Sequence, residues 1–266
     1  MTLFIKYLLL TLLTSYSCFA LAKFDECKTS LRLSSTSEWY PYIYQDENGV
    51  STGTDVELLS LILTRMGCKL EVFHFPERRA LLELKLGRFD IVLGASKTAD
   101  RAKEFFYSTA YRNEINKFAY RADDADITPT KSLQRLLNLN KIIAINYAGW
   151  YGEEIETAKS KYQNFSYSPT TTNRLKMLHL GRVDAVIDDE MVLCSELQRN
   201  GYRNIVINTE VLFETPIYFI FNKESVTPEF VTEFNNTLES MKIDKSLAEH
   251  FYQQLPKRCK AELATS

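Results

Sequence analysis

Residues 84–93 read LKLGRFDIVL and residues 178–187 read LHLGRVDAVI, with Leu, Leu, Gly, Arg, Asp and Val repeated in register. Each copy has the form of a helix end, a glycine at the C′ position where a left-handed residue is wanted, a short polar turn, and an apolar strand. The pair predicts two lobes of related construction. The sequels differ, GASKTADR after the first copy and DDEMV after the second. They are expected to face each other across a cleft.

Working outward, apolar periodicity and turn signals predict a strand at 31–35 and a loop rich in aromatics, SEWYPYIYQDENGV. A helix to about residue 66 follows, with Asp55 as its N-cap and Glu57 meeting the positive end of the helix dipole. Next come a strand at 69–75, a helix at 77–86 and the strand of the first copy at 90–93. Strands alternating with helices of about ten residues predict βαβ units around a parallel sheet. The extended, aromatic segment 105–121 and the polar 121–130 after it form a first crossover. A second series then begins: strand 141–145, helix 152–161, strand 165–167, helix 173–180, the strand of the second copy, helix 190–200 with Gly201 past its end, and strand 204–207. Thr215-Pro216 and IYFIF form the return crossover, and helices at 229–241 and 245–254 follow.

The first 22 residues carry one Lys, an apolar run at 7–13 and then Ala20-Leu21-Ala22, the small-x-small pattern of a secretory leader. That run is short for a membrane span of roughly 20 residues. The formal net charge of −2, with both signs interspersed, gives no electrostatic reason to expect nucleic acid or a membrane surface. Beyond the leader lie Cys27, Cys68, Cys194 and Cys259, an even count that in an exported chain favours disulfides. Cys27 and Cys68 each precede an apolar-periodic strand. If those strands are parallel neighbours, Cys27 pairs with Cys68 and Cys194 with Cys259; the alternative is four buried thiols.

The order WYPYIY, GTDVELL, LKLGRFDIVLGASKTADR, YSTAY, LHLGRVDAVIDD and YFIFNKES resembles the bacterial extracellular solute-binding proteins of the polar amino acid type, family 3, over essentially the whole chain beyond the leader. The resemblance implies an α/β fold of the type II periplasmic-binding-protein kind. Each lobe is a mostly parallel sheet flanked by helices, and two hinge crossovers join the lobes around a ligand cleft. The expected limits are 1–22 for the leader, 23–118 plus 216–266 for lobe 1, and 119–215 for lobe 2. The implied protein is a monomer in the periplasm that captures a small solute and hands it to an inner-membrane ABC permease, or presents its closed form to a sensor receptor.

The resemblance also implies a ligand set. Arg101 matches the family's arginine, and Ser96 and Thr98 its hydroxyl positions, around the carboxylate of an amino acid. A guanidinium fork makes two charge-assisted bonds to such a group. Asp189 matches the acid that takes the ligand ammonium, although Asp188 and Glu190 adjoin it and acids before a helix commonly cap it. Trp39 follows the first strand, where parallel sheets present binding loops, and its face can stack on a ligand or attract a cation. Glu38 beside it is placed to read a second cationic group, whereas Tyr42 and Tyr44 read as apolar packing. For Arg101 the bland alternative is a surface ion pair, and for Thr98 a helix cap. Ala148-Gly149-Trp150-Tyr151 stands where many relatives have Gly-Thr, and Ala110 where they often have Pro. These departures point to a flatter or smaller ligand. Arg79 reads as a solvated charge.

His74, His179 and His250 lie far apart with no ligand-spaced partner, and no P-loop, GxSxG or GxGxxG is present, so neither metal nor cofactor is expected. An enzyme on the same scaffold, similar to the cyclohexadienyl dehydratases, is the competing reading, with Glu38, Asp189 or Glu190 as general acid.

Overall fold

The computed structural model of the chain describes residues 27, 30–35, 38–75, 77–124, 127, 132–147 and 149–254. In chain order the first half runs β1 (Leu31–Ser35), β2 (Glu38–Trp39), β3 (Ile43–Gln45), β4 (Ser51–Thr52), α1 (Thr54–Arg65), β5 (Leu70–His74), α2 (Glu77–Lys85), β6 (Ile91–Ser96), α3 (Ala99–Glu104), β7 (Phe105–Tyr107) and β8 (Arg112–Arg121). The second half runs α4 (Leu133–Asn138), β9 (Ile143–Ile145), α5 (Gly152–Lys161), β10 (Phe165–Tyr167), α6 (Thr171–His179), β11 (Ala185–Asp189), α7 (Glu190–Asn200), β12 (Ile205–Ile207), β13 (Phe213–Asn222), α8 (Pro228–Ile243) and α9 (Ser246–Gln254).

One mixed sheet runs through both halves in the order β10-β9-β11-β8-β13-β6-β1-β5, with β12 added to β8 and β7 to β13. The two copies of the opening stretch hold equivalent places in it. Strand β6 is parallel to β1 (Leu33 opposite Ile91) and antiparallel to β13 (Ile217 opposite Ser96). Strand β11 is parallel to β9 (Ile143 opposite Ala185) and antiparallel to β8 (Asn116 opposite Asp189). The long strands β8 and β13 pair with each other between these outer sheets, from Arg112–Ile217 to Asn116–Phe213. This is the two-lobed α/β arrangement with two crossovers.

Both copies are apolar without alternation because both faces of their strands are covered. Ile91 and Leu93 enter the large core under α1, α8 and α9, while Val92 and Ala95 enter the smaller cluster under α2. In the other half Ala185 and Ile187 face α5, and Val186 faces α6 and α7. The glycines behave as their position requires. Gly87 and Gly181 have φ of 71° and 68°, and Arg88 N–H reaches Glu83 O just as Arg182 N–H reaches Met177 O, which satisfies the last carbonyls of α2 and α6.

Strands β1 and β5 are parallel neighbours, Leu31 opposite Leu70, and the Cys27–Cys68 disulfide closes just ahead of them with a Cα–Cα distance of 4.7 Å. Cys194 is buried in α7 and is a disulfide cysteine. Its expected partner Cys259 lies outside the described residues, as does the leader at 1–22.

Three local expectations are corrected. Asp55 is not the cap of α1: Gly53 holds that position, with φ of 126°, and Asp55 sits one position inside the helix with no solvent exposure. Its carboxylate instead accepts from Tyr111 Oη at 2.5 Å and from Arg112 Nη2 at 3.0 Å, and a buried charge demands such partners more than a helix end demands a cap. The aromatic loop is a small antiparallel ribbon, β2-β3-β4, rather than irregular chain. The short helices α3 and α4 were not anticipated, since six residues give too little periodicity to read.

Candidate functional site

Side chains of successive strand residues point to opposite faces, and β8 uses this to wall two cavities. Glu114 and Asn116 line a cavity of about 210 Å³ between the β6 end of the sheet and α6, while Asn113 and Ile115 line a second of about 470 Å³ toward α9. The second is larger but almost wholly apolar, walled by Tyr42, Tyr111, Leu247 and Phe251 among others. The first gathers polar groups from both halves of the chain, which marks it as the candidate site.

Lobe-1 elements supply Trp39, Ser96 and Arg101 to that cavity. The indole of Trp39 lies across the end of β6, close enough that a Cβ on Gly94 would stand 2.6 Å from its Cζ3. Gly94 also has φ of 73°, so both sterics and backbone conformation favour glycine there. Thr98 caps α3 by accepting from Arg101 N–H at 3.3 Å, and Arg101 Nη1 donates to Ser96 O at 3.2 Å. Among the described residues no carboxylate pairs with Arg101, so the bland ion-pair alternative is not what the structure contains. Thr98 is not part of the cavity wall. Glu38 lies in β2 opposite Tyr44, and its side chain lies outside the described set.

The acid of the second half is not where the sequence reading put it. Asp188, rather than Asp189, lines the cavity. Asp188 is itself engaged: the buried guanidinium of Arg174 pairs with its Oδ2, which also accepts from Thr171 Oγ1 at 2.6 Å. Asp189 is the N-cap of α7, with Oδ1 accepting from Met191 and Val192 N–H and from Tyr42 Oη at 2.9 Å, and Oδ2 accepting from Ile115 N–H at 3.0 Å. It lines the apolar cavity instead. Burial pushes its carboxyl up to about 6, against the opposing pull of Arg112, Tyr42 and the Ile115 amide. Tyr42, read as apolar packing, is buried as expected but also ties the two halves together through that hydrogen bond.

Three further lining residues escaped the sequence reading. Glu114 is pushed up to about 8, by burial first and by the neighbouring Asp189, Asp188 and Asp55, with Arg112 pulling the other way. Asn116 and Arg174 are the others. The only sequence signal for Glu114 and Asn116 was their shared parity in an extended stretch. For Arg174 it was a charge three residues after Thr171 on a helix otherwise buried on that side. Trp150 and Tyr151, at the position that departs from the family pattern, both line the cavity, and the Tyr151 ring packs against Gly149. Arg79 is exposed and pairs with Glu83, in keeping with a solvated charge. No cluster of His, Cys, Asp and Glu suited to a metal ion occurs among the described residues.

The description "Bacterial extracellular solute-binding proteins, family 3" matches residues 31–254. The chain belongs to this family. It is 23% identical over 229 residues to the "Probable amino-acid-binding protein YxeM" of Bacillus subtilis (strain 168), covering 84% of each chain. It is 25% identical over 228 residues to the "L-cystine-binding protein TcyA" of the same organism, covering 83% of this chain and 79% of the relative. Two solved structures share the fold. One is a "Histidine Kinase Sensor Domain with Similarity to Periplasmic Binding Proteins", with a TM-score of 0.77 and 19% identity over 86% of this chain and 97% of that one. The other is the "ancestral amino acid-binding protein AncCDT-1, a precursor of cyclohexadienyl dehydratase", with a TM-score of 0.69 and 23% identity over 85% of this chain and 96% of that one. As a member of this family the chain is a solute-binding protein, and no helix among its described residues is long and apolar enough to cross a membrane.

Proposed function

We propose that the chain captures a small amino-acid-like or carboxylate solute in the cavity between its lobes and delivers it, from the periplasm, to an inner-membrane ABC permease. The observation that carries this is Arg101: a guanidinium on a cavity wall, without a carboxylate partner among the described residues, beside Ser96 and the face of Trp39. Such a fork is matched by a solute carboxylate. The relatives' names, amino-acid-binding and L-cystine-binding, favour the same class.

The lobe limits are 23–118 plus 216–266, and 119–215, with both breaks inside the paired strands β8 and β13. Ile217–Phe221 pairs with β6 and Asn116–Tyr120 with β11, which supports breaks between those two sets of contacts. Bound solute gains contacts from both lobes only in the closed form and so shifts the hinge equilibrium toward it. The protein works as a monomer, exported by the leader at 1–22. Calorimetry with the twenty L-amino acids, L-cystine and small organic acids tests this. Wild type binds at least one, and Arg101→Ala weakens that binding by about a hundredfold; equal binding by the variant overturns the assignment.

A dehydratase is favoured by one observation, a buried acid in the cavity held protonated to about pH 8, Glu114. Incubation with prephenate decides it: phenylpyruvate supports the enzyme, and its absence leaves the binding protein.

A further inference from the structure

A zwitterion taken out of water between two lobes needs a cation for its carboxylate and an anion for its ammonium. Asp189 is saturated by four donors and faces the other cavity, and Asp188 is neutralised by Arg174 and Thr171. That leaves Glu114. Its side chain is 15% exposed and lines the same cavity as Arg101, and among the described residues its carboxyl accepts no hydrogen bond. The nearest cation is Arg112 Nη1 at 3.7 Å, beyond hydrogen-bond length. Arg112 is itself committed to Asp55 through Nε and Nη2. A carboxyl in that position is costly to keep dry and charged without a donor.

We propose that Glu114, on the crossover strand, receives the α-ammonium of the solute, the role expected of Asp189, and so selects α-amino acids over plain carboxylic acids. This rests on the solute-binding reading and names the class of solute. The charged groups that face Glu114 are Arg112 on its own strand, Asp55 on α1, and Asp188 and Asp189 on β11; Arg101 and Arg174 line the same cavity. With its proton retained to about pH 8 in the empty cleft, Glu114 must release that proton when an ammonium arrives, so amino acid binding releases about one proton at pH 7 and tightens toward pH 8.

The test uses L-glutamine and L-arginine, each beside the analogue carrying hydrogen in place of the α-amino group, 5-amino-5-oxopentanoate and 5-guanidinopentanoate. Calorimetry in two buffers of different ionisation enthalpy gives affinity and proton count together. Wild type prefers an amino acid to its analogue by about tenfold or more and releases a proton. Glu114→Gln, which copies the protonated shape, melts as wild type does at pH 6, loses most of that preference and releases none. A variant that keeps both the preference and the proton release overturns the role of Glu114 alone, as does a wild type that binds analogue and amino acid equally. If no amino acid or analogue binds at all, the solute-binding reading falls and this assignment with it.

Discussion

The two copies of the opening stretch share a scaffold and diverge at one residue. In the first, Asp90 accepts from Arg32 N–H at 2.8 Å and also grips the Arg32 guanidinium; in the second, Asp184 accepts from Ile142 N–H at 2.8 Å and meets Arg121 Nη2 at 3.4 Å. Each therefore clamps the start of the neighbouring strand. The difference lies where the strands end. Strand β6 runs on past Ser96 to a cap at Thr98, which leaves Arg101 on the cavity wall, whereas β11 enters α7 directly and uses Asp189 as the cap. A motif repeated in sequence thus preserves the strand, while the cap decides which side chain remains for a ligand.

The largest test of this comparison falls on the one device that the second copy lacks near its strand. Replacing Cys27 and Cys68 by Ser opens a loop with a sequence separation of 41 residues. A chain-entropy account puts the loss at about 4 kcal/mol, to be read by denaturant unfolding. Next come the clamps. The Asp90 side chain is 7% exposed and that of Asp184 26%, so Asp90→Ala is expected to destabilise by about 3 kcal/mol and Asp184→Ala by about 1 kcal/mol. Equal losses would break the ranking. Burial alone would raise Asp90, but the Arg32 hydrogen bonds outweigh it and hold the carboxyl below the usual range. Its contribution is therefore present at neutral pH and lost as pH falls through that lowered value.

Glu114 has the opposite sign. Its folded value of about 8 lies above the ordinary 4.5, so the stability it allows is complete below 4.5 and declines as pH rises toward 8. In the ligand-free protein, Glu114→Gln should flatten the melting profile between pH 5 and 8 and melt roughly 3 °C above wild type at pH 8. The smallest expected effect is Gly181→Ala, about 1 kcal/mol, because an L-residue at φ of 68° is strained although nothing lies within 4 Å of the added Cβ. Gly87→Ala should match it, with Asn222 Nδ2 at 3.9 Å in ordinary contact.

Most of the architecture was legible because it rests on local signals: C′ glycines, apolar runs buried on both faces, and alternating helices and strands. The Cys27–Cys68 pairing followed once their strands were taken as parallel neighbours. The site was half legible. Arg101, Ser96 and Trp39 sit on the cavity wall, yet Asp189 and Asp188 differ only in strand parity, and one residue of register exchanges cleft for cap. Asp55 misled for a related reason, since a helix-start acid and a buried ion-pair acid look alike until Arg112, 57 positions later, is brought beside it. Glu114 carried no motif, and its character comes from burial and from three carboxylates contributed by other elements.

The central claim is that the cavity takes a solute through Arg101, and native mass spectrometry of freshly purified protein tests it most directly. The account predicts a discrete small-molecule adduct on wild type, retained from the source or restored by an amino acid mixture, and its loss in Arg101→Ala with the fold intact. An adduct of equal occupancy on the variant, or none on wild type after the mixture is added, would contradict it.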